Sequence, residues 1–140
     1  MKHWLKVELT AIWLGMVTAL ACWLIGGFLM ILWVFYSSAT VYHLEFLIYL
    51  LGISGVLLGG IIAGSKVKKT AWLHGLWVGV LLGLLGLIIN LEIAPEFYSW
   101  LTLGRQLFVW SLWGLVGGYF SRFLVRKKIK EAVEEEDSTP

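Results

Sequence analysis

The chain has 140 residues, 59% of them hydrophobic and only 14% charged, with eleven Lys and Arg against nine Asp and Glu for a formal net charge of +2. That hydropathy leaves no polar stretch long enough for a soluble catalytic domain and bounds the chain to one domain. The aromatic residues lie inside apolar runs rather than on a basic groove, which excludes a nucleic-acid interface.

Four apolar stretches, Leu9 to Phe35, Phe46 to Gly64, Ala71 to Leu91 and Leu101 to Val125, each reach about the 20 residues that cross a hydrocarbon core. The expected architecture is an all-α membrane protein: a four-helix transmembrane domain over 1–128 and a charged cytoplasmic tail over 129–140. Lys2, Lys6 and Glu8 precede the first span, whose rims Trp4 and Trp33 would mark. Its length requires tilt or burial of its ends in the interface. Cys22 is the only cysteine, so an intramolecular disulfide and a cysteine metal cluster are excluded. A lipoprotein cleavage at Ala19, Leu20, Ala21, Cys22 is the weaker reading. Leu20 is bulky, and the apolar run far exceeds the roughly 7 to 15 residues of a cleaved signal.

Ser37, Ser38 and Thr40 read as an outer turn, with His43 and Glu45 leading into the second span. The short loop from Ser65 to Thr70 carries Lys66, Lys68 and Lys69 and makes the second and third spans antiparallel neighbours. The outer connection from Glu92 to Ser99 holds Glu96 and Pro95, which has no amide hydrogen and would end the third helix. Tyr98 and Trp100 suit the headgroup level. Arg122, Arg126, Lys127, Lys128 and Lys130 close the fourth span, and Glu134 to Asp137 make the tail's end acidic, which reads as a solvated, frayed terminus. Ten of the eleven cationic residues therefore fall on one side and only Arg105 on the other. Cationic residues stay where the chain was made, so both termini are expected in the cytoplasm. That basic rim would also attract anionic lipid headgroups, at roughly 1 kcal/mol per residue.

The sixteen glycines lie mostly within spans. In the third, Ala71, Gly75, Gly79, Gly83, Gly86 and Asn90 step by three or four and share one face. The second has Gly52, Gly55, Gly59 and Ala63, with Gly60 and Gly64 alongside; the fourth has Ser111, Gly114, Gly117, Gly118 and Ser121. Small faces let helix backbones approach closely where the hydrophobic effect gives no drive, so these three faces are expected to meet. A shift of 60 pairs Ala11, Gly15, Ala19 and Gly26 with Ala71, Gly75, Gly79 and Gly86. A shift of 58 pairs Leu58, Gly59 and Gly60 with Val116, Gly117 and Gly118. The chain thus reads as two duplicated hairpins about an axis along the membrane normal.

Ionisable residues inside spans are default functional candidates. His74 could relay or sense protons. The favoured reading is an interfacial imidazole bonded to a backbone carbonyl or water, because no second titratable group is near in sequence. Arg105 either pairs with Glu45, Glu92 or Glu96 or snorkels to water. Asn90, Gln106, Thr18 and Ser54 are expected to form interhelical hydrogen bonds. Trp13, Trp23, Trp77, Trp110 and Trp113 would face lipid or fill space opposite glycines, while Trp72 and Trp100 fit the aromatic belts. No zinc spacing, phosphate-binding glycine loop or nucleophile–base pair is present in the sequence, so no enzyme activity, cofactor or metal is expected.

The run Gly55, Val56, Leu57, Leu58, Gly59, Gly60, Ile61, Ile62, Ala63, Gly64, followed by Trp72, Leu73, His74, Gly75, Leu76, Trp77, Val78, Gly79, resembles uncharacterised four-span membrane proteins of Bacillus and Clostridium relatives. The resemblance implies a bacterial plasma-membrane protein with a small-residue helix core and carries over no catalytic residue. Two functions fit. One is a non-enzymatic packing or accessory subunit of a larger membrane complex, and the other a small homo-oligomeric transporter or channel, which would need more lining polar residues than the spans hold.

Overall fold

The computed structural model describes residues 8–37, 44–67, 70–93 and 99–137. They form four helices, α1 (Leu9–Ser37), α2 (Leu44–Ser65), α3 (Ala71–Ile93) and α4 (Trp100–Asp137), with no strand among the described residues. Each helix is long and apolar enough to cross a membrane, which makes this an all-helical, multi-pass membrane protein. Lys2, Trp4, Lys6, the turn at Ser38, Thr40 and His43, Lys68, Lys69, and Pro95, Glu96 and Tyr98 lie outside the described residues.

Three helices begin at residues whose carbonyls take the first free amides, the groups that a helix start would otherwise leave unpaired. The Glu8 carbonyl accepts from Ala11 at 3.0 Å, Thr70 from Leu73 at 3.1 Å, and Ser99 from Thr102 at 2.9 Å. Thr70 and Ser99 are of the types that favour such positions. At the other end α3 stops at Ile93, two residues before Pro95 in sequence.

The fourth helix departs from the expected end at Val125, continuing unbroken to Asp137. From Arg122 to Asp137 there is no Gly or Pro to stop it, and Arg, Lys, Glu and Ala all favour helix. Lys127 and Glu131 face each other at 3.7 Å one turn apart, both largely in solvent. At 1.5 Å per residue its 38 residues span about 57 Å, against a hydrocarbon core of about 30 Å, so a long terminal segment projects beyond the bilayer.

The order of contacts gives the bundle its shape. The second helix packs against all three others, α3 and α4 share the longest seam, and α1 touches α2 and the start of α3. Among the described residues α1 and α4 make no close backbone approach. Trp23 and Trp110 close that gap instead, their rings 5.3 Å apart. The starts of α1 and α3 and the end of α2 lie together at one rim, called the near rim below. The opposite rim is the distal one.

Adjacent glycines in α2 meet different helices, which is how it serves two partners. A Cβ on Gly59 would lie 2.6 Å from the Gly15 carbonyl of α1, whereas one on Gly60 would lie 2.6 Å from the Gly114 carbonyl of α4. Gly55 abuts the Trp23 ring of α1, and Gly64 abuts Ser121 and Gly118 of α4. The α2 glycines are therefore split between two seams rather than gathered on one. Ile12, Ala19, Val56, Ala63, Val78 and Leu82 form the buried apolar cluster between α1, α2 and α3.

The two hairpins share a contact register. Gly15 meets Gly59 and Ala63, and Gly59 meets Gly15 and Ala19; likewise Gly75 meets Gly114 and Gly118, and Gly114 meets Gly75 and Gly79. These sets correspond by a shift of 60 from α1 to α3 but of 55 from α2 to α4. The 58-residue shift read from the sequence aligns like residues about one turn away from those making equivalent contacts. Trp23 bonded to Gly52 in the first hairpin corresponds to Gly83 against Leu107 in the second.

Candidate functional site

Two places hold the polar chemistry of the spans. The first is His74, which the first turn of α3 carries into the near end of the bundle, where it is wholly buried. The Glu8 backbone amide donates to its Nε2 at 2.9 Å, so Nε2 must be the unprotonated nitrogen. In the neutral ring Nδ1 then carries the hydrogen and donates it to the Thr70 carbonyl at 2.8 Å. Thr70 Oγ1 stands 3.4 Å from the same nitrogen. The imidazole thus ties the start of α3 to the start of α1. Its partner at Glu8 lies 66 residues away and carries no local sequence signal.

The second place is a cleft of about 480 Å³ at the distal rim, lined by Tyr49 of α2 and by Thr102, Arg105, Gln106, Val109 and Trp110 of α4. Helical spacing brings 102, 105, 106 and 109 onto one face of α4. Arg105 is exposed, and Glu92, one of its expected partners, makes no ion pair with it. Glu96 and the Glu45 side chain lie outside what the structure describes. Asn90 Nδ2 donates to Gln106 Oε1 at 3.0 Å across the α3–α4 seam. That bond takes the amide oxygen and leaves Gln106 its N–H groups.

Trp110 is the floor of this cleft, and its position was not legible in its own neighbourhood. Its ring edge lies 3.7 Å from a Cβ built on Gly52 and 3.2 Å from one built on Gly86. Glycines on two facing helices clear the space for one indole, a small-opposite-large pattern that reads only after the helices are docked. Trp23 is fixed alongside, its Nε1 donating to the Gly52 carbonyl at 3.3 Å.

Other candidates separate by position. Thr18 donates to Leu14 and Ser54 to Leu51, each within its own helix, so neither bridges helices as expected. Within spans such back-bonding satisfies the hydroxyl without a partner helix. Ser111 and Ser121 do the same, to Leu107 and Gly118. Trp13, Trp33, Trp72, Trp77, Trp100 and Trp113 are exposed on the bundle surface. Cys22 is a free, half-buried thiol. Among the described residues no three His, Cys, Asp or Glu side chains converge as metal ligands.

The small-residue positions lie along the helix seams. Gly75 abuts Gly114 and Gly118, Gly79 lies against the Trp110 carbonyl and Ser111, and Gly83 against Leu107. Gly117 abuts Leu57 and Gly60. Gly27 and Gly104 alone among the sixteen face open space.

Residues 8–121 match the family described as "Protein of unknown function (DUF3792)". No curated protein and no solved structure matches the chain.

Proposed function

The chain belongs to the DUF3792 family of proteins of unknown function, and from that premise we propose a non-enzymatic packing or accessory subunit of a larger complex in a bacterial plasma membrane. Both termini face the cytoplasm in this reading. Exposed Lys66, Arg126, Lys127 and Lys130 sit at the near rim or on the helix projecting from it, where anionic headgroups would hold them.

The observation that carries the reading is the groove between the distal halves of α1 and α2, lined by residues that include Gly27, Met30, Val34, Leu44, Ile48 and Leu51. Exposed apolar side chains mean little in a bilayer, since lipid satisfies them. A glycine with nothing opposite it is different, because close backbone approach is what a span glycine contributes to helix association. The other bundle glycines, Gly104 apart, use that capacity within the chain, and Gly27 retains it inside a groove between two helices. A transmembrane helix of a partner protein is the occupant that this surface fits. The polar groups of the spans support the same reading: no buried polar side-chain atom among the described residues lacks a hydrogen-bond partner.

The test is copurification of the tagged chain from its native membrane in a mild detergent, with the mass of the complex measured, for the wild type and for Gly27→Leu. A stoichiometric larger partner, lost on filling the groove, is expected. A homo-oligomer that conducts solute in liposomes would overturn the proposal in favour of a small transporter or channel.

A further inference from the structure

We propose that the distal cleft between α2 and α4 is a binding site for a membrane lipid, with Arg105 as the counter-ion of its headgroup phosphate. The depth is right for one. Arg105 follows Trp100, which lies exposed at the start of α4 and is of the type that favours the headgroup belt. Five residues at 1.5 Å place its backbone about 7.5 Å further along the helix. A side chain of that length reaches back to the headgroup layer while its stem stays among apolar groups.

The chemistry of the lining selects an anion. Arg105 offers only donors, and Gln106 has its oxygen engaged by Asn90, leaving N–H groups. The hydroxyls of Tyr49 and Thr102 can add donors, and among the described residues no carboxylate lines the cleft. A guanidinium fork matches two phosphate oxygens at once, a geometry that a point charge cannot reproduce. Arg105 makes no ion pair with any described acidic residue, and a cation held at this depth favours a bound anion.

The remaining walls favour a lipid over a free anion. Val109 and Trp110 carry the cleft inward from the polar groups, one turn and more toward the middle of the bilayer. A phosphate attached to glycerol and acyl chains fills both parts, whereas an inorganic ion leaves the apolar part empty. The volume of about 480 Å³ lies within the roughly 300–1,000 Å³ of small-molecule sites. This site is separate from the Gly27 groove and does not depend on the accessory-subunit reading.

The experiment is native mass spectrometry of the full chain in a non-denaturing detergent, titrated with phosphatidylglycerol, phosphatidylcholine or inorganic phosphate. Wild type should retain phosphatidylglycerol, and Arg105→Gln should weaken that retention at least about tenfold, as loss of a charge-assisted hydrogen bond implies. Phosphatidylcholine should bind more weakly, because its headgroup carries no net charge and none of the described lining residues is an acid for its cation. Arg105→Lys keeps the charge and loses the fork, and it decides the matter if the Gln variant does not fold: severalfold weaker retention supports the site. Retention unchanged in the folded Arg105 variants would overturn the proposal. Displacement of the lipid by millimolar inorganic phosphate would overturn the lipid assignment in favour of a soluble anion. Gly27→Leu should leave lipid retention unchanged, which separates failure of this site from failure of the docking groove.

Discussion

Adding one methyl group at Gly114 should separate α3 from α4, because the space it would enter is bounded by backbone. A Cβ there would press on the Gly75 carbonyl and lie 2.9 Å from both Cα and N of Gly79. Carbon atoms prefer about 3.5–4.0 Å, so the helices must part by roughly 0.6–1.1 Å, enough to forfeit a quarter to a half of each neighbouring contact. Those neighbours include Gly75 against Gly118 and Gly60 against the Gly114 carbonyl. Overpacking costs about 1–3 kcal/mol, and rigid walls put this position near the upper end. Alanine's helix preference over glycine offsets about 1 kcal/mol, leaving a net loss of about 2 kcal/mol for Gly114→Ala by these estimates. Gly104→Ala on the same helix is the control. Nothing lies within 4 Å of its new methyl group, so it should gain up to about 1 kcal/mol. Thermal unfolding in mild detergent, followed by tryptophan emission, orders the two variants. Equal melting of both, or Gly114→Ala melting above wild type, would refute close backbone packing as the basis of this seam.

His74→Ala should leave the part-buried Glu8 amide without its acceptor, at about 1 kcal/mol, and hydrogen exchange should rise at 8–12 while α4 stays protected. Unchanged protection there would show that the imidazole does not hold the start of α1. Asn90→Leu and Gln106→Leu, alone and combined, form a double-mutant cycle across the α3–α4 seam. Its coupling energy should be near 0.6 kcal/mol, the average for interhelical hydrogen bonds in membranes, and a zero coupling would place the two amides apart. Truncation after Lys130 removes a helical extension whose ion pair, Lys127 with Glu131, is solvated. Pairs of this kind contribute only about 0.3–0.5 kcal/mol, so the melting midpoint should be nearly unmoved; a large drop would mean that the extension packs against the bundle.

The number and limits of the spans were legible because hydrocarbon imposes them residue by residue: length, apolarity and the breaks at Pro95 and the lysine loop need no partner to be read. The far end of α4 was less so. Charge marks where a chain leaves the membrane, but it does not mark where a helix stops, and the run from Arg126 to Glu136 has no Gly or Pro to break a helix. The 58-residue repeat shows the same limit, since residue likeness aligned Gly59 with Gly117 while the contacts align it with Gly114.

The sequence by itself determined four membrane-crossing helices and where small residues recur along them, both set by local spacing against a uniform solvent. Only the tertiary structure decided which face meets which helix: that α2 turns Gly59 to α1 and Gly60 to α4, that Glu8 reaches His74, and that Tyr49 and Arg105 share a cleft floored by Trp110. These are contacts between residues distant in the chain. They follow from the rotation and register of each helix, and in lipid those are fixed by interlocking shape rather than by any polarity written along the sequence.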